Sequence, residues 1–152
     1  MNIEIQKLSG HDIDKFEKLI RLFENVFEME NFTMPCRNHL QQLLEQDSFF
    51  VFVALASHDI VGGLTAYTLQ QYYSTSPLVY VYDLAVKKEF QRRGIGKNLM
   101  TALTTYCIGL GIEEIFVQAD AIDDHAIEFY HSTGATAEKV IHFYYPLNKK
   151  QT

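Results

Sequence analysis

The stretch Val79-Tyr80-Val81-Tyr82-Asp83-Leu84-Ala85-Val86, continued by Lys87-Lys88-Glu89-Phe90 and then Gln91-Arg92-Arg93-Gly94-Ile95-Gly96-Lys97-Asn98-Leu99, decides the fold. Its first part is apolar and rich in β-branched and aromatic residues, and reads as a strand. Its last part reads as a glycine-bearing turn that opens a helix. A strand, a short basic loop and a helix start together make an anion site. The free N–H groups of the first helical turn point outward, and the helix dipole adds partial positive charge. Gly94 and Gly96 carry no Cβ, so a phosphate can approach the backbone closely. Arg92, Arg93 and Lys97 place full positive charge at the same point.

Two common phosphate loops do not fit. The dinucleotide fingerprint needs a third glycine three residues after the second, and that position is Leu99. The Walker A loop needs glycine five residues before Gly-Lys and then serine or threonine, where this chain has Gln91 and Asn98. What fits is Gln-x-x-Gly-x-Gly after a strand. This resembles the acyl-CoA pyrophosphate loop of the GNAT superfamily of N-acyltransferases, whose pattern is Gln/Arg-x-x-Gly-x-Gly/Ala. On the residues alone, an ordinary strand-to-helix turn with solvated arginines is the alternative.

Working outward, the 152 residues are 47% hydrophobic and 13% aromatic, enough for one globular domain over 1–152 with a full core. No apolar run is long enough to span a membrane. Met1-Asn2-Ile3-Glu4-Ile5-Gln6-Lys7 lacks a basic-then-apolar signal pattern, so a cytoplasmic protein is expected. A net charge of -6 argues against a nucleic-acid partner and is compatible with a cationic substrate, although solubility alone explains it as well. Cys36 and Cys107 are isolated, and Cys107 falls on the apolar side of a helix. Neither points to a disulfide or a metal. His125 and His131 stand six apart with no Cys or Glu to complete a ligand set, so no metal is expected.

Before the central stretch, Asn2 to Leu8 alternates as a strand. Ile13, Phe16, Ile20, Phe23 and Phe27 recur at helical spacing, with Lys15, Lys18, Arg21 and Glu24 on the other side. Pro35 suits the first position of a second helix running to about Glu45. Ser48 to Ala56 is a buried strand, and Ile60 to Gln70 its return, with Gly62-Gly63 marking a bulge or a close approach. After it, the helix opened by Gly94 carries Ile95, Leu99, Leu103, Cys107 and Leu110, and Gly109 and Gly111 end it. Glu114 to Ala119 is a strand. Asp123 or Asp124 caps a short helix to about Ser132, and Glu138 to Leu147 reads as the last strand or strands. The order predicts an α/β arrangement around a mixed sheet.

Asp83 is the residue out of character in its strand, because a carboxylate there is costly unless paired or solvated in a cleft. Alternation places Val79, Val81, Asp83 and Ala85 on one face and Tyr80, Tyr82, Leu84 and Val86 on the other. Asp83 is suited to holding a substrate ammonium or taking its proton. A structural partner for an arginine is the other reading. Tyr130 sits in Phe129-Tyr130-His131-Ser132-Thr133-Gly134. A neutral phenol suits a general acid for a departing thiolate, and a core aromatic with a satisfied hydroxyl is the plain alternative. Of Asp120, Asp123 and Asp124 one caps the next helix, and the others either add negative potential for a polycationic acceptor or are simply cap and solvent carboxylates. No serine or cysteine nucleophile stands out, and direct attack of an amine on a thioester needs none.

The resemblance implies more. In the superfamily a helix ending Phe-Tyr-x-x-x-Gly supplies a tyrosine near the CoA sulfur, which here is Tyr130. It implies a largely antiparallel central sheet flanked by helices, with splayed central strands and a bulge near Leu84-Ala85. Leu84, Ala85 and Val86 would meet the pantetheine arm of acetyl-CoA, and Gln91 through Lys97 its pyrophosphate. The second half looks like the aminoglycoside 3-N-acetyltransferase branch, through Tyr80 to Val86, Arg92-Arg93-Gly94-Ile95, Val117-Gln118-Ala119-Asp120 with Asp123-Asp124, Ala126 with Tyr130, and Val140-Ile141-His142-Phe143. His125 departs from that branch, which usually has proline there. Gly96 stands where the branch often has alanine. The resemblance therefore implies acetyl transfer to a primary amine of a small polycation, an aminoglycoside acetylated at 3-N and hence antibiotic resistance. Another amine acceptor, or an acyl-CoA-binding sensor without turnover, is the alternative. Superfamily members are often dimers, and Phe143-Tyr144-Tyr145 would suit a homodimer interface.

Overall fold

The computed structural model describes residues 2–148 and divides into two compact units, Met1–Gln118 and Ala119–Thr152. The first unit is built on a five-stranded sheet in the order β1 (Ile3–Lys7), β2 (Phe49–Ala56), β3 (Asp59–Leu69), β4 (Leu78–Val86), β5 (Glu114–Val117). The first four strands pair antiparallel, and β4 and β5 pair parallel. A parallel neighbour requires a crossover. Helix α3 (Ile95–Gly109) supplies it, preceded by a single 3-10 turn at Lys88–Phe90. Helices α1 (Ile13–Val26) and α2 (Arg37–Leu44) join β1 to β2.

The sheet separates two cores. On one face Phe16, Leu19, Leu22 and Phe23 of α1 and Leu40 and Leu44 of α2 pack on Phe49, Val51, Val53 and Leu55. On the other, Ile95, Leu99, Leu103 and Cys107 of α3 pack on Phe50, Phe52, Leu64, Ala66, Val79 and Val81. Leu99 and Leu103 are fully buried, each contributing about 1.5–3 kcal/mol of burial. Strand β2 is buried along its whole length because both its faces are covered. The periodicity of α1 is realised from Ile13 to Phe23, whereas Phe27 falls at the C-cap and is 43% exposed. Arg37 of α2 ties the two helices by pairing with Asp14 (2.9 Å) and Glu17.

The glycine pair on β3 is a close approach and lies beside a bulge. A Cβ on Gly63 would lie 2.5 Å from Leu19 Cδ1 and 2.8 Å from the Phe52 carbonyl oxygen, so α1 seats directly on the bare backbone. Opposite Ala54 and Leu55 the register slips by one residue, at Val61. Helix α2 begins two residues after Pro35, with Cys36 in extended conformation at its N-cap.

In the second unit α4 (Asp124–Ser132) is the one regular element among the described residues. The strand expected over Glu138 to Leu147 does not form: residues 135–148 are neither helix nor strand. Val140, Ile141, Phe143, Tyr144, Tyr145 and Leu147 are instead 67–94% exposed. A β-branched and aromatic composition marks a strand only where another strand supplies the ladder, and the described ladders contain none of these residues.

Candidate active site

Strand β4 is regular at its start and irregular where the chemistry is expected. Leu78 to Val81 pair with Glu114 to Val117 of β5, and the pairing stops there. On the other side Ala66 faces Val81 while Thr65 faces Asp83, so Tyr82 is an extra residue, a β-bulge. The pairing of β4 with β5 ends at Val81, as a splay of the central strands requires, and the bulge lies at Tyr82 and not near Leu84-Ala85. From Tyr82 to Val86 no strand among the described residues pairs with the β5-side edge of β4.

The bulge also corrects the assignment of faces. Val79 and Val81 pack toward α3, as do Leu84 and Val86, whereas Ala85 belongs to the α1 core. Asp83 lies opposite Thr65, which lies opposite Val51 of the α1 core. Asp83 thus shares the α1 face with Tyr80 and not with Val79 and Val81. A one-residue slip exchanges the faces of every later side chain, and here it keeps a carboxylate out of the α3 core.

Asp83 is partly buried, and burial pushes its carboxyl above the ordinary aspartate value. Tyr67 and Tyr80 also titrate above the ordinary phenol value, through burial first and then the negative charge available on Tyr82 and Asp83. The Tyr80 hydroxyl donates to Gln118 Oε1 at 3.3 Å. The arrangement can hold a cation beside Asp83 and can take a proton from it.

The basic loop follows at once. Gln91 is extended, Arg92 has φ +62° and Gly94 has φ +81°, so the chain passes twice through the left-handed region before α3 begins. For Arg92 that conformation carries strain of a kind that collects at functional sites. No side chain caps α3 and its first turn has no acidic residue. The first intrahelical bond is Asn98 N–H to the Gly94 carbonyl at 3.0 Å, which leaves the N–H groups of Ile95, Gly96 and Lys97 outside the helical ladder. A Cβ built on Gly94 meets nothing within 4 Å, so there is room for a ligand there. Among the described residues no carboxylate pairs with Arg92, Arg93 or Lys97, and the Arg93 guanidinium lies 5.2 Å over the Phe90 ring.

The other predicted residues divide by what their side chains are doing. The Gln91 side chain donates to the Val86 carbonyl at 3.0 Å and so ties the loop to the end of β4. Ile95 is a core residue at 2% exposure, leaving only its N–H to offer. Leu84, Ala85 and Val86 pack inward, so their backbone is what faces the open edge. Burial raises the Cys107 thiol to about 11, which makes it a core residue and no nucleophile.

The second unit settles which aspartate caps α4. Asp123 Oδ1 accepts from Ala126 N–H at 3.1 Å, and Asp124 lies in the first turn. Asp120 Oδ1 accepts from Ile122 N–H at 3.4 Å. Tyr130 is partly buried on α4, with its ring 5.0 Å from that of Phe129. No group of three or more His, Cys, Asp or Glu among the described residues could hold a metal ion, and no described helix is long and apolar enough to cross a membrane.

Residues 15–135 match the model of the acetyltransferase (GNAT) family. The chain belongs to that family. Among solved structures, the aminoglycoside acetyltransferase meta-AAC0020 from an uncultured soil metagenomic sample, in complex with sisomicin, is 54% identical, with 96% of this chain and 97% of that chain covered and a TM-score of 0.95. The aminoglycoside acetyltransferase HMB0005, also from an uncultured soil metagenomic sample, is 36% identical over 97% of this chain and 100% of that chain, with a TM-score of 0.91. Aminoglycoside N-acetyltransferase AAC(6')-Iy in complex with CoA shares the fold at 18% identity, covering 97% and 96% with a TM-score of 0.79. No curated protein matches the chain. The GNAT assignment makes this chain an acyltransferase of the N-acetyltransferase type.

Sequence reasoning missed Tyr67 on β3 and the bond from Tyr80 to Gln118, which lies just past the end of β5, because no local pattern marks either. Tyr82 is an inserted position, and alternation carries no signal for one.

Proposed function

We propose that this GNAT chain transfers acetyl from acetyl-CoA directly to a primary amine of an aminoglycoside, at the 3-N position. The observation that carries the reading is the bulge at Tyr82. It sets Asp83 on the α1 face, where a cationic amine can reach it, and coincides with the start of an open β4 edge that leads to the Arg92–Gly96 turn. The 54% identity to an aminoglycoside acetyltransferase complexed with sisomicin supports the acceptor class, and the branch resemblance of the second half supports the 3-N position.

In this reading the N–H groups of Ile95, Gly96 and Lys97, with Arg92 and Arg93, hold the coenzyme diphosphate. The open space at Gly94 fits that role. The coenzyme supplies an activated acetyl thioester. Backbone groups of Leu84 to Val86 orient the pantetheine arm along the unpaired edge. Asp83 orients the acceptor ammonium and takes its proton, so that the amine lone pair becomes available. The amine then attacks the thioester carbonyl: as the N–C bond forms and the C–S bond breaks, Tyr130 gives its phenolic proton to the departing sulfur and is restored by the second proton that the nitrogen sheds on becoming an amide. Asp120, Asp123 and Asp124 add negative potential for a polycation, Asp123 while also capping α4. Both units work as one acetyltransferase domain, a reading supported by a family match that runs across them. A homodimer is the proposed assembly, since the apolar run from Val140 to Leu147 is exposed.

The test is thiol release from acetyl-CoA with sisomicin-type acceptors against spermidine, with the acetylated nitrogen located by NMR. Rapid release with the aminoglycoside and a 3-N-acetyl product are expected. Release only with spermidine would remove the acceptor assignment, and coenzyme binding with no release on any amine would remove the mechanism.

A further inference from the structure

Phe49, Tyr67, Tyr80 and Phe116 stand in one cross-strand row. Phe49 is registered with Tyr67, Tyr67 with Tyr80, and Tyr80 with Phe116, so four neighbouring strands each contribute one ring to the same face. The rings of Phe49 and Tyr67 are 5.0 Å apart, and those of Tyr80 and Phe116 are stacked at 4.9 Å. Tyr82, the inserted residue of the bulge, bridges the middle. Its ring lies 5.9 Å from both Tyr67 and Tyr80 and edge-on to each, at 83° and 84°. The row runs from 6% exposure at Phe49, where the Phe16 ring of α1 lies 5.8 Å away, to 59% at Tyr82. Asp83, on the same face, is the neighbour of Tyr82.

We propose that Tyr67, Tyr82 and Tyr80 form an aromatic platform that receives a second ammonium group of the acceptor while Asp83 takes the reacting one. The platform rests on the acceptor reading given above and adds residues that reading does not use. Three arguments carry it. First, packing does not explain Tyr82: it is more than half exposed, yet two perpendicular ring contacts fix it in place. Second, an aromatic face attracts a cation through its quadrupole, and the attraction strengthens as the site is shielded from water. Third, the neighbouring carboxylate completes the complement to a polycation, and phenol rings are neutral at neutral pH and so repel no cation. The platform favours an acceptor in which a second cationic or C–H-rich face lies a few ångströms from the reacting amine. Tyr82 is a positioning residue in this scheme.

The experiment compares Tyr82→Leu and Tyr82→Phe with the wild type. Acceptor KM, kcat and coenzyme Kd are measured, together with shifts of the Tyr82 ring resonances in 13C-tyrosine-labelled wild-type protein on adding tetramethylammonium chloride. Tyr82→Leu is expected to raise the acceptor KM about 2- to 30-fold with little change in kcat or coenzyme Kd. Tyr82→Phe keeps a π face and stays near wild type. Tetramethylammonium is expected to shift the Tyr82 resonances and to inhibit competitively against the acceptor. An unchanged KM in Tyr82→Leu, or an equal loss in both variants, overturns the platform while leaving the acceptor reading in place. If the wild type acetylates no aminoglycoside and tetramethylammonium still shifts Tyr82, the acceptor reading fails and the platform is overturned as an aminoglycoside subsite, leaving only a cation site at the tyrosines.

Discussion

Replacing Gly94 with alanine separates what the turn does for the fold from what it does for the coenzyme. Gly94 has φ +81°, and its Cβ position is open for 4 Å around. The variant therefore meets no clash. It pays only for placing an L-residue in the left-handed region, about 1–2 kcal/mol. Gly111, just beyond the far end of α3, is a matched control, with φ +73° and the same open surroundings. The 15 residues of α3 put the two roughly 22 Å apart at about 1.5 Å per residue. At about 2–4 °C per kcal/mol for a chain of this size, both variants should lose roughly 2–8 °C in thermal midpoint. Only Gly94→Ala should also lose coenzyme affinity. A methyl group there displaces the diphosphate from at least one backbone N–H, and losing one hydrogen bond to a charged group costs about 1.5–3 kcal/mol, or roughly 10- to 150-fold in Kd. Calorimetric titration with CoA well below the midpoints provides the comparison. Equal affinities in the two variants would refute the assignment of the loop.

The remaining predictions concern Asp83, Tyr130 and Gly63. Asp83→Asn should cut turnover roughly 10²–10⁴-fold with coenzyme binding kept, and yet melt higher than wild type at neutral pH. A folded-state pKa raised by burial means that the wild-type carboxyl contributes stability below its unfolded value and loses it as pH rises through the folded value. The gap in midpoint should therefore be widest at neutral pH and close in acid, which melts across that range will show; a destabilised variant at neutral pH would contradict the burial argument. The acid limb of wild-type kcat/KM should fall above the ordinary aspartate value for the same reason. Tyr130→Phe should lower kcat with coenzyme Kd unchanged in stopped-flow and equilibrium measurements; unchanged kcat would remove it as the acid. Gly63→Ala should cost about 1–3 kcal/mol in denaturant unfolding, because its Cβ meets the Phe52 carbonyl oxygen at 2.8 Å and a backbone atom cannot rotate away.

The sequence carried those parts of the fold that local chemistry determines. Glycines at 94 and 111 bracket α3 because the chain must turn left-handed at both ends of that helix. The three- and four-residue spacing from Ile13 to Phe23 fixed α1, and Cys107 fell where the apolar side of α3 required. What was not legible depends on partners. The face on which Asp83 lies is set by how β4 registers with Thr65 and Ala66, residues some seventeen positions away in sequence. The aromatic row joins positions 49, 67, 80 and 116, which become neighbours only when four strands align. Both Asp123 and Asp124 suited the cap, and only the bond from Ala126 N–H distinguishes them. The stretch from Glu138 to Leu147 is rich in β-branched and aromatic residues, but a ladder needs a second strand.

One irregularity links the two halves of the proposed chemistry. Strand β5 pairs with β4 as far as Val81, and the bulge occupies the next residue. A bulge increases local twist and bends its strand, so the point where β4 gains a residue is also where it can part from β5. The resulting open edge runs from Tyr82 to Val86, is fixed to β3 on its other side through Asp83 to Val86, and is tied to the loop by Gln91. The same inserted residue moves Asp83 to the α1 face, beside the tyrosines and away from the α3 core. A regular β4 would have had to bury the carboxylate under α3, at a cost of several kcal/mol for an unpaired charge. In the proposed chemistry, donor edge and acceptor carboxylate thus both follow from one inserted tyrosine, Tyr82.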